Sequence, residues 1–184
     1  MMDMFEAKGI QPMLLTESHV PDPSEDWLNE LKLDGIRSIA YLSPRGTDLR
    51  NKRDMRLIPA FPELNRLHES VNATCILDGE LIITGAQGKP DFEALQARSM
   101  MTDISRIRLK SAQSPASFVA FDILYRDGKD LTSLPLTERK RILQETASDR
   151  GRLAVSRVME GNAKALFDLT TEQGLEGIVQ KRKN

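Results

Sequence analysis
The sequence predicts an α+β domain of mainly antiparallel sheet flanked by helices. Three observations carry this. Strand-like runs near the start are separated by short turn signals, as in hairpins. Later strands have helices inserted between them without a regular β–α–β alternation. No glycine-rich loop leads from a strand into a helix, so neither a P-loop nor a dinucleotide fingerprint is present. Any bound nucleotide must then be held by side chains on strands.

Residues 1–26 are rich in proline and acids around the segment Ile10 to Leu15, which reads as an extended strand or a surface arm. Trp27 to Lys32 and Arg37 to Leu42 read as strands, with Thr47 to Asn51 a short third. Pro62 near the first turn opens a helix running to about Ser70. Thr74 to Thr84 is a long strand interrupted at Asp78-Gly79. Asp91 caps a helix over Phe92 to Arg98, and Met100 to Lys110 is a second helix. Ser117 to Tyr125 is bounded by Pro115 and Asp127-Gly128 and reads as a fully buried strand, with Phe118, Ala120 and Asp122 on one face. Thr137 caps a helix over Glu138 to Thr146. Leu153 to Val158 is a strand, Asn162 to Gln173 a helix closed by Gly174, and Glu176 to Lys181 the last strand.

The chain has 184 residues, 40% hydrophobic and 29% charged, with a net charge of −1. That suits one soluble domain and excludes a bulk-charge argument for any partner. A single cysteine, Cys75, forbids an intrachain disulfide and fits a reducing compartment. It reads as a small core residue with no zinc-ligand company. No membrane span or signal-peptide pattern is visible, so the expected location is the cytoplasm. Arg45 to Arg56 holds five basic residues against two acids, which fits either a solvated loop or a phosphate contact.

Lys32-Leu33-Asp34-Gly35-Ile36-Arg37 is the most informative segment. It puts a lysine on a turn between strands, beside a glycine that permits close approach of a phosphate or base. A lysine can act as a nucleophile when its surroundings favour the neutral amine; a plain charged hairpin is the alternative. Leu77-Asp78-Gly79-Glu80-Leu81 carries a carboxylate through an apolar strand, which is costly unless something binds it. Phe118 to Leu124 brings an aromatic, Phe121, next to an acid. Glu176-Gly177-Ile178-Val179-Gln180-Lys181 ends on a lysine facing away from Ile178. Each has a plain alternative: Phe121 as core, Glu80 and Glu176 as solvated strand ends. Together they make a coherent nucleotide site.

The ordered set K-x-D-G-x-R, D-G-E, F-D-I-L and E-G-I-V-x-K resembles the covalent nucleotidyltransferases, a group comprising ATP-dependent DNA ligases, RNA ligases and mRNA capping enzymes. The likeness runs from Pro12 to Lys181. Pro12 to Leu15, Phe61 to Leu64 and Asp91 to Arg98 are similar to DNA ligase segments, especially those of short bacterial and phage-type enzymes or of bacterial end-joining proteins. The resemblance implies an ATP-grasp-like nucleotidyltransferase domain over 1–184 that binds ATP with Mg2+ or Mn2+. Lys32 would be the catalytic nucleophile, carrying AMP from ATP for transfer to a DNA 5′-phosphate. Glu30 would contact the adenine amino group, with Leu31 beside it. Phe121 would stack on the base, and Glu80 would bind the ribose. Arg37 and Lys52 would lie near ribose or phosphate, and Lys181 would touch the α-phosphate. Glu176 would hold the metal. Asp34, Lys52 and Arg53 would face nucleic acid.

Two departures from the family pattern stand out. Asn51-Lys52-Arg53-Asp54 replaces the usual Ser-Arg-x-Gly, so either Lys52 or Arg53 answers to its arginine. The family's next strand, with two lysines, and its oligonucleotide-binding barrel are absent from the sequence. The expectation is a domain truncated before that strand, acting as a monomer, which self-adenylates slowly and does not seal nicked DNA alone. Recruitment by a Ku-like end-binding protein is compatible with the resemblance, as are an RNA ligase, a capping-type enzyme or a non-catalytic nucleic-acid-binding remnant.

Overall fold
The computed structural model describes residues 3–184; the first two residues of the predicted 1–26 arm lie outside it. The strands are β1 (Trp27–Leu31), β2 (Ile36–Ser43), β3 (Gly46–Asn51), β4 (Cys75–Ile83), β5 (Ala116–Arg126), β6 (Lys129–Asp130), β7 (Leu153–Val155) and β8 (Ile178–Arg182). The helices are α1 (Met4–Ala7), α2 (Phe92–Ser99), α3 (Ile104–Gln113), α4 (Leu136–Thr146) and α5 (Ala163–Glu172). A six-stranded sheet runs β3-β2-β4-β5-β6, with β7 also on β5, and β1 pairs only with β8 in a separate two-stranded sheet. All pairings are antiparallel except β5 with β7. The α+β expectation holds.

The large sheet has two unlike faces because its strands alternate. One face contributes Ala40, Leu42, Leu77, Leu81, Phe118 and Ala120 to the main core, covered by Phe61, Leu64 and Leu67, by Leu95 of α2 and by Leu143 of α4. On the other, cross-strand pairs bring Arg37 beside Glu80, Ile39 beside Asp78 and Tyr41 beside Ile76. Phe5 of α1 covers its apolar end with Ile39, Tyr41, Ile76 and Tyr125. The polar end faces the small sheet. Cys75 lies in the main core, where burial pushes its thiol up to about 12.

Several sequence expectations are corrected. The Phe61–Ser70 helix is two 3-10 turns, Pro62–Leu64 and Leu67–Ser70, pinned from α2 by buried Arg98, which donates to Ala60 O at 2.8 Å and to Glu63 at 2.9 Å. The helix predicted from Met100 starts at Ile104, because Asp103 is the cap that accepts from Arg106 N. Pro135, not Thr137, precedes α4, and no side chain caps it. Ile10 to Leu15 forms no strand and leaves Met13 and Leu14 exposed. Trp27–Leu31 and Ile36–Ser43 are not a hairpin: the turn at Lys32 carries the chain from one sheet to the other. The glycine of that turn also serves the fold, since a Cβ on Gly35 would lie 2.3 Å from Leu81 O.

β5 is not fully buried, and its alternation breaks. Asp78 pairs with Asp122 and Gly79 with Ala120, so Phe121 is an extra residue opposite β4. Such a bulge re-aims the side chain and frees backbone groups from the ladder. Gly79 sits under Phe118, where a Cβ would meet both Phe118 Cζ and Val119 O at 2.5 Å. Gly79→Ala is therefore expected to destabilise the fold by about 3 kcal/mol. A urea titration should show a lowered midpoint with an unchanged slope; an unmoved midpoint would contradict this packing.

Candidate active site
The junction of the two sheets, a cleft filled by its own side chains, is organised around Glu30. β1 places it facing β8, opposite Val179, and it is 2% exposed. Lys140 Nζ of α4 reaches its Oε1 at 2.7 Å and Lys181 Nζ of β8 reaches the same oxygen at 2.9 Å. Oε2 is buried with no hydrogen-bond partner at bonding distance, although the Ser156 hydroxyl stands close enough to the carboxyl to help lower it. Burial works to raise the Glu30 carboxyl, but Lys181 and Lys140 outweigh it and hold it below its ordinary value. Lys140 is lowered, by burial first and by the charge of Lys181 second.

Lys32 follows where β1 ends. Its backbone N–H donates to Gly177 O at 2.9 Å, and its Nζ is ion-paired with Glu176. The two residues that the motifs set apart by most of the chain thus meet at the mouth of the cleft. Gly177, at φ +132°, makes the bend that places Glu176 there before β8 begins. Leu31 closes β1 opposite Ile178 and is 42% exposed.

Phe121 is not a core residue. Lys181 Nζ lies 4.1 Å from its ring centroid and Arg37 Cζ 4.4 Å. Its carbonyl, freed by the bulge, accepts from Lys140 Nζ. Arg37 is fixed by a two-pronged bond to Asp78, at 2.6 and 2.8 Å. Glu80, next to Arg37, is pushed up to about 7 by burial, which outweighs the opposing charge of Arg37.

Asp34 is exposed beyond Lys32 and borders an open groove of about 540 Å³ with Gly85 to Glu93. Lys52 and Arg53 are exposed on the turn after β3 and join no ion pair among the described residues. The other members of the basic run are neutralised: Arg45 by Glu6, and Arg50 and Arg56 by Asp48. The structure therefore gathers Glu30, Lys32, Arg37, Glu80, Phe121, Glu176 and Lys181 about one cleft, and brings neither Lys52 nor Arg53 into contact with them. Among the described residues no three His, Cys, Asp or Glu cluster as metal ligands. The single carboxylate of Glu176 suits an ion that takes most of its oxygens from water and phosphate.

Sequence reasoning missed three residues. Asp78 holds Arg37. Asp122 takes Arg139 through two bonds of 2.9 Å. Lys140 is buried, although it lies in a charged run, Glu138 to Arg141. Its signal was the helical stripe Leu136, Lys140, Leu143 and Ala147, which turns it inward.

The chain has counterparts among known proteins. The ATP dependent DNA ligase domain family matches residues 12–184. The SPbeta prophage-derived DNA ligase-like protein LigB of Bacillus subtilis is 36% identical over 175 residues, covering 95% of this chain and 61% of that protein. The multifunctional non-homologous end joining DNA repair protein LigD of Mycobacterium tuberculosis is 28% identical, over 98% of this chain and 22% of that protein. A structure of mycobacterial DNA ligase D complexed with ATP and MES superposes with a TM-score of 0.79 at 24% identity, covering all of this chain and 56% of that one, a likeness of fold. The chain thus spans less than two thirds of these relatives. The family match runs from Pro12 through the last strand, a span that holds every residue of the cleft, and the chain accordingly belongs to the ATP-dependent DNA ligase domain family.

Proposed function
We propose that the cleft is an adenylation site in which Lys32 takes AMP from ATP, for delivery to the 5′-phosphate of nicked DNA. The observation that carries this is the convergence of Lys32, Glu176 and Lys181 with a half-buried aromatic and a buried acid that has a vacant acceptor. Family membership and the relatives' names, which include DNA ligase and end joining, support the DNA branch.

In this reading adenine stacks on Phe121, a ring already able to hold flat, polarisable groups. Its amino group donates to Glu30 Oε2, satisfying an otherwise unpaired buried oxygen. The ribose hydroxyls meet Glu80, and Arg37 stays fixed by Asp78 beside them. Lys181 leaves Glu30 and Phe121 as the base enters, and its charge moves to the α-phosphate. Lys32 Nζ, once it has given a proton to solvent, attacks the α-phosphorus. The bond to the bridging oxygen breaks, pyrophosphate leaves with the electron pair, and the nitrogen passes its extra proton to solvent to give a phosphoramide. Mg2+ or Mn2+ held at Glu176 would offset the negative charge on the phosphates. Glu176, if engaged in that way, would no longer pair with Lys32. In the next step a DNA 5′-phosphate oxygen would displace Lys32 from the AMP phosphorus. Asp34, Lys52 and Arg53, all exposed, are the residues offered to the DNA.

Intact mass after incubation with ATP and a divalent cation tests the reading. A gain of about 329 Da, one AMP, is expected and should vanish in Lys32→Ala. A gain that persists in Lys32→Ala would refute Lys32 as the nucleophile. Phe121→Ala is expected to weaken ATP binding about tenfold by loss of stacking, measured by calorimetry.

Glu80 adds a pH signature. Its carboxyl rises on folding from 4.5 to about 7, so the folded state binds this proton more tightly than the unfolded one. Its contribution to stability is full below about pH 4.5 and is lost as pH rises through about 7. Over that window the unfolding midpoint of the unliganded wild type should fall relative to Glu80→Gln and then run parallel to it. Curves parallel throughout would contradict a raised Glu80.

A further inference from the structure
The two lysines on Glu30 are not equivalent. The side chain of Lys181 is 21% exposed and rests on the ring of Phe121, where an entering base must displace it. That of Lys140 is 8% exposed and lies behind the acid. Its Nζ bridges Glu30 Oε1 and the carbonyl of Phe121, the residue at the bulge. Lys140 therefore ties the recognition acid on β1 to the stacking residue on β5 and fixes their spacing. It also occupies one oxygen of Glu30 and leaves the other, Oε2, buried and vacant. A buried acceptor without a donor is costly, and a ligand that brings a donor relieves the cost. When Lys181 departs, Lys140 is the counter-charge that remains, and a buried carboxylate without one is strongly disfavoured.

We propose that Lys140 is a positioning residue for base selection. It keeps the Glu30 carboxylate charged and turned so that Oε2 accepts from the exocyclic amine of a 6-aminopurine nucleotide and repels the carbonyl of a 6-oxopurine. The proposal rests on the nucleotide reading above. It assigns a role in choosing the base to a helix residue that does not touch the base itself.

The test compares equilibrium binding of ATP and ITP, which differ in the group facing Glu30, in wild type, Lys140→Met, Lys140→Arg and Glu30→Gln. Urea midpoints verify that each variant is folded. Wild type is expected to prefer ATP by at least about tenfold, as for a hydrogen bond to a buried charge. Lys140→Met should bring the ratio to within about twofold of that in Glu30→Gln, while Lys140→Arg keeps most of the preference. Should Lys140→Met not fold, Lys140→Gln, which can still donate to the Phe121 carbonyl, is read in its place and should show the same loss. A folded Lys140→Met that keeps the wild-type ratio, or a Lys140→Arg that loses it as completely as Met, overturns the proposal alone. A wild type that binds ATP and ITP equally overturns the base contact and the proposal with it. A wild type that binds neither removes the nucleotide reading itself.

Discussion
A buried carboxylate, Glu30, is the constraint on which the cleft depends. It is drawn from β1 and answered by lysines from α4 and β8, and one of these also binds a carbonyl of β5. Three strands from two separate sheets and one helix therefore meet at one charge. Taking such a group out of water costs several kcal/mol, and stripping a partner from it costs about 3–5 kcal/mol. Beyond the β1–β8 ladder and a bridge from Asn29 to Met159, the small sheet is tied to α4 by Thr137 N–H donating to Lys183 O and by the Glu30–Lys140 pair, so its seat on the large sheet leans in large part on this contact. Lys32 comes two residues after Glu30, and Lys181 reaches it directly. The positions of both follow from the seat.

The second constraint is the bulge at Phe121. Without it, β5 would continue its alternation, and the ring would share its face of the sheet with Ile123. Alternation already sends Phe118 and Ala120 to the core and Phe121 to the cleft; the extra residue keeps Asp122 on the cleft side as well and returns Ile123 to the core. It also liberates the carbonyl that Lys140 uses. Gly79 makes room for Phe118 on the opposite face. Packing on one side of β4–β5 and polar chemistry on the other are thus set by the same short stretch. Asp78, on the cleft side of that stretch, holds Arg37 beside Glu80, so the ribose end of the cleft is charged but locally paired.

Much of this was legible in the residues. The strand runs, the cap Asp91 and the ordered motifs located most elements and most of the cleft. What was hidden depends on tertiary contact. No local signal says that Trp27–Leu31 and Ile36–Ser43 belong to different sheets, because a charged turn with glycine looks the same in a hairpin. Pro62 starts a helical turn, but Arg98 from α2 ties that segment down as two short 3-10 pieces. Alternation alone could not show that Phe121 is a bulge. Lys140 was masked by its charged neighbours, although its spacing from Leu136 and Leu143 marked it as inward.

The most direct test of the Glu30 constraint is a double-mutant cycle on unfolding free energy, using Glu30→Gln, Lys140→Met and the pair. If this contact seats the small sheet, the two losses should be coupled by more than about 1 kcal/mol, with the double variant less damaged than the sum. Additive losses, with coupling near zero, would mean that the small sheet is held by other contacts and that the charge cluster does not organise the cleft.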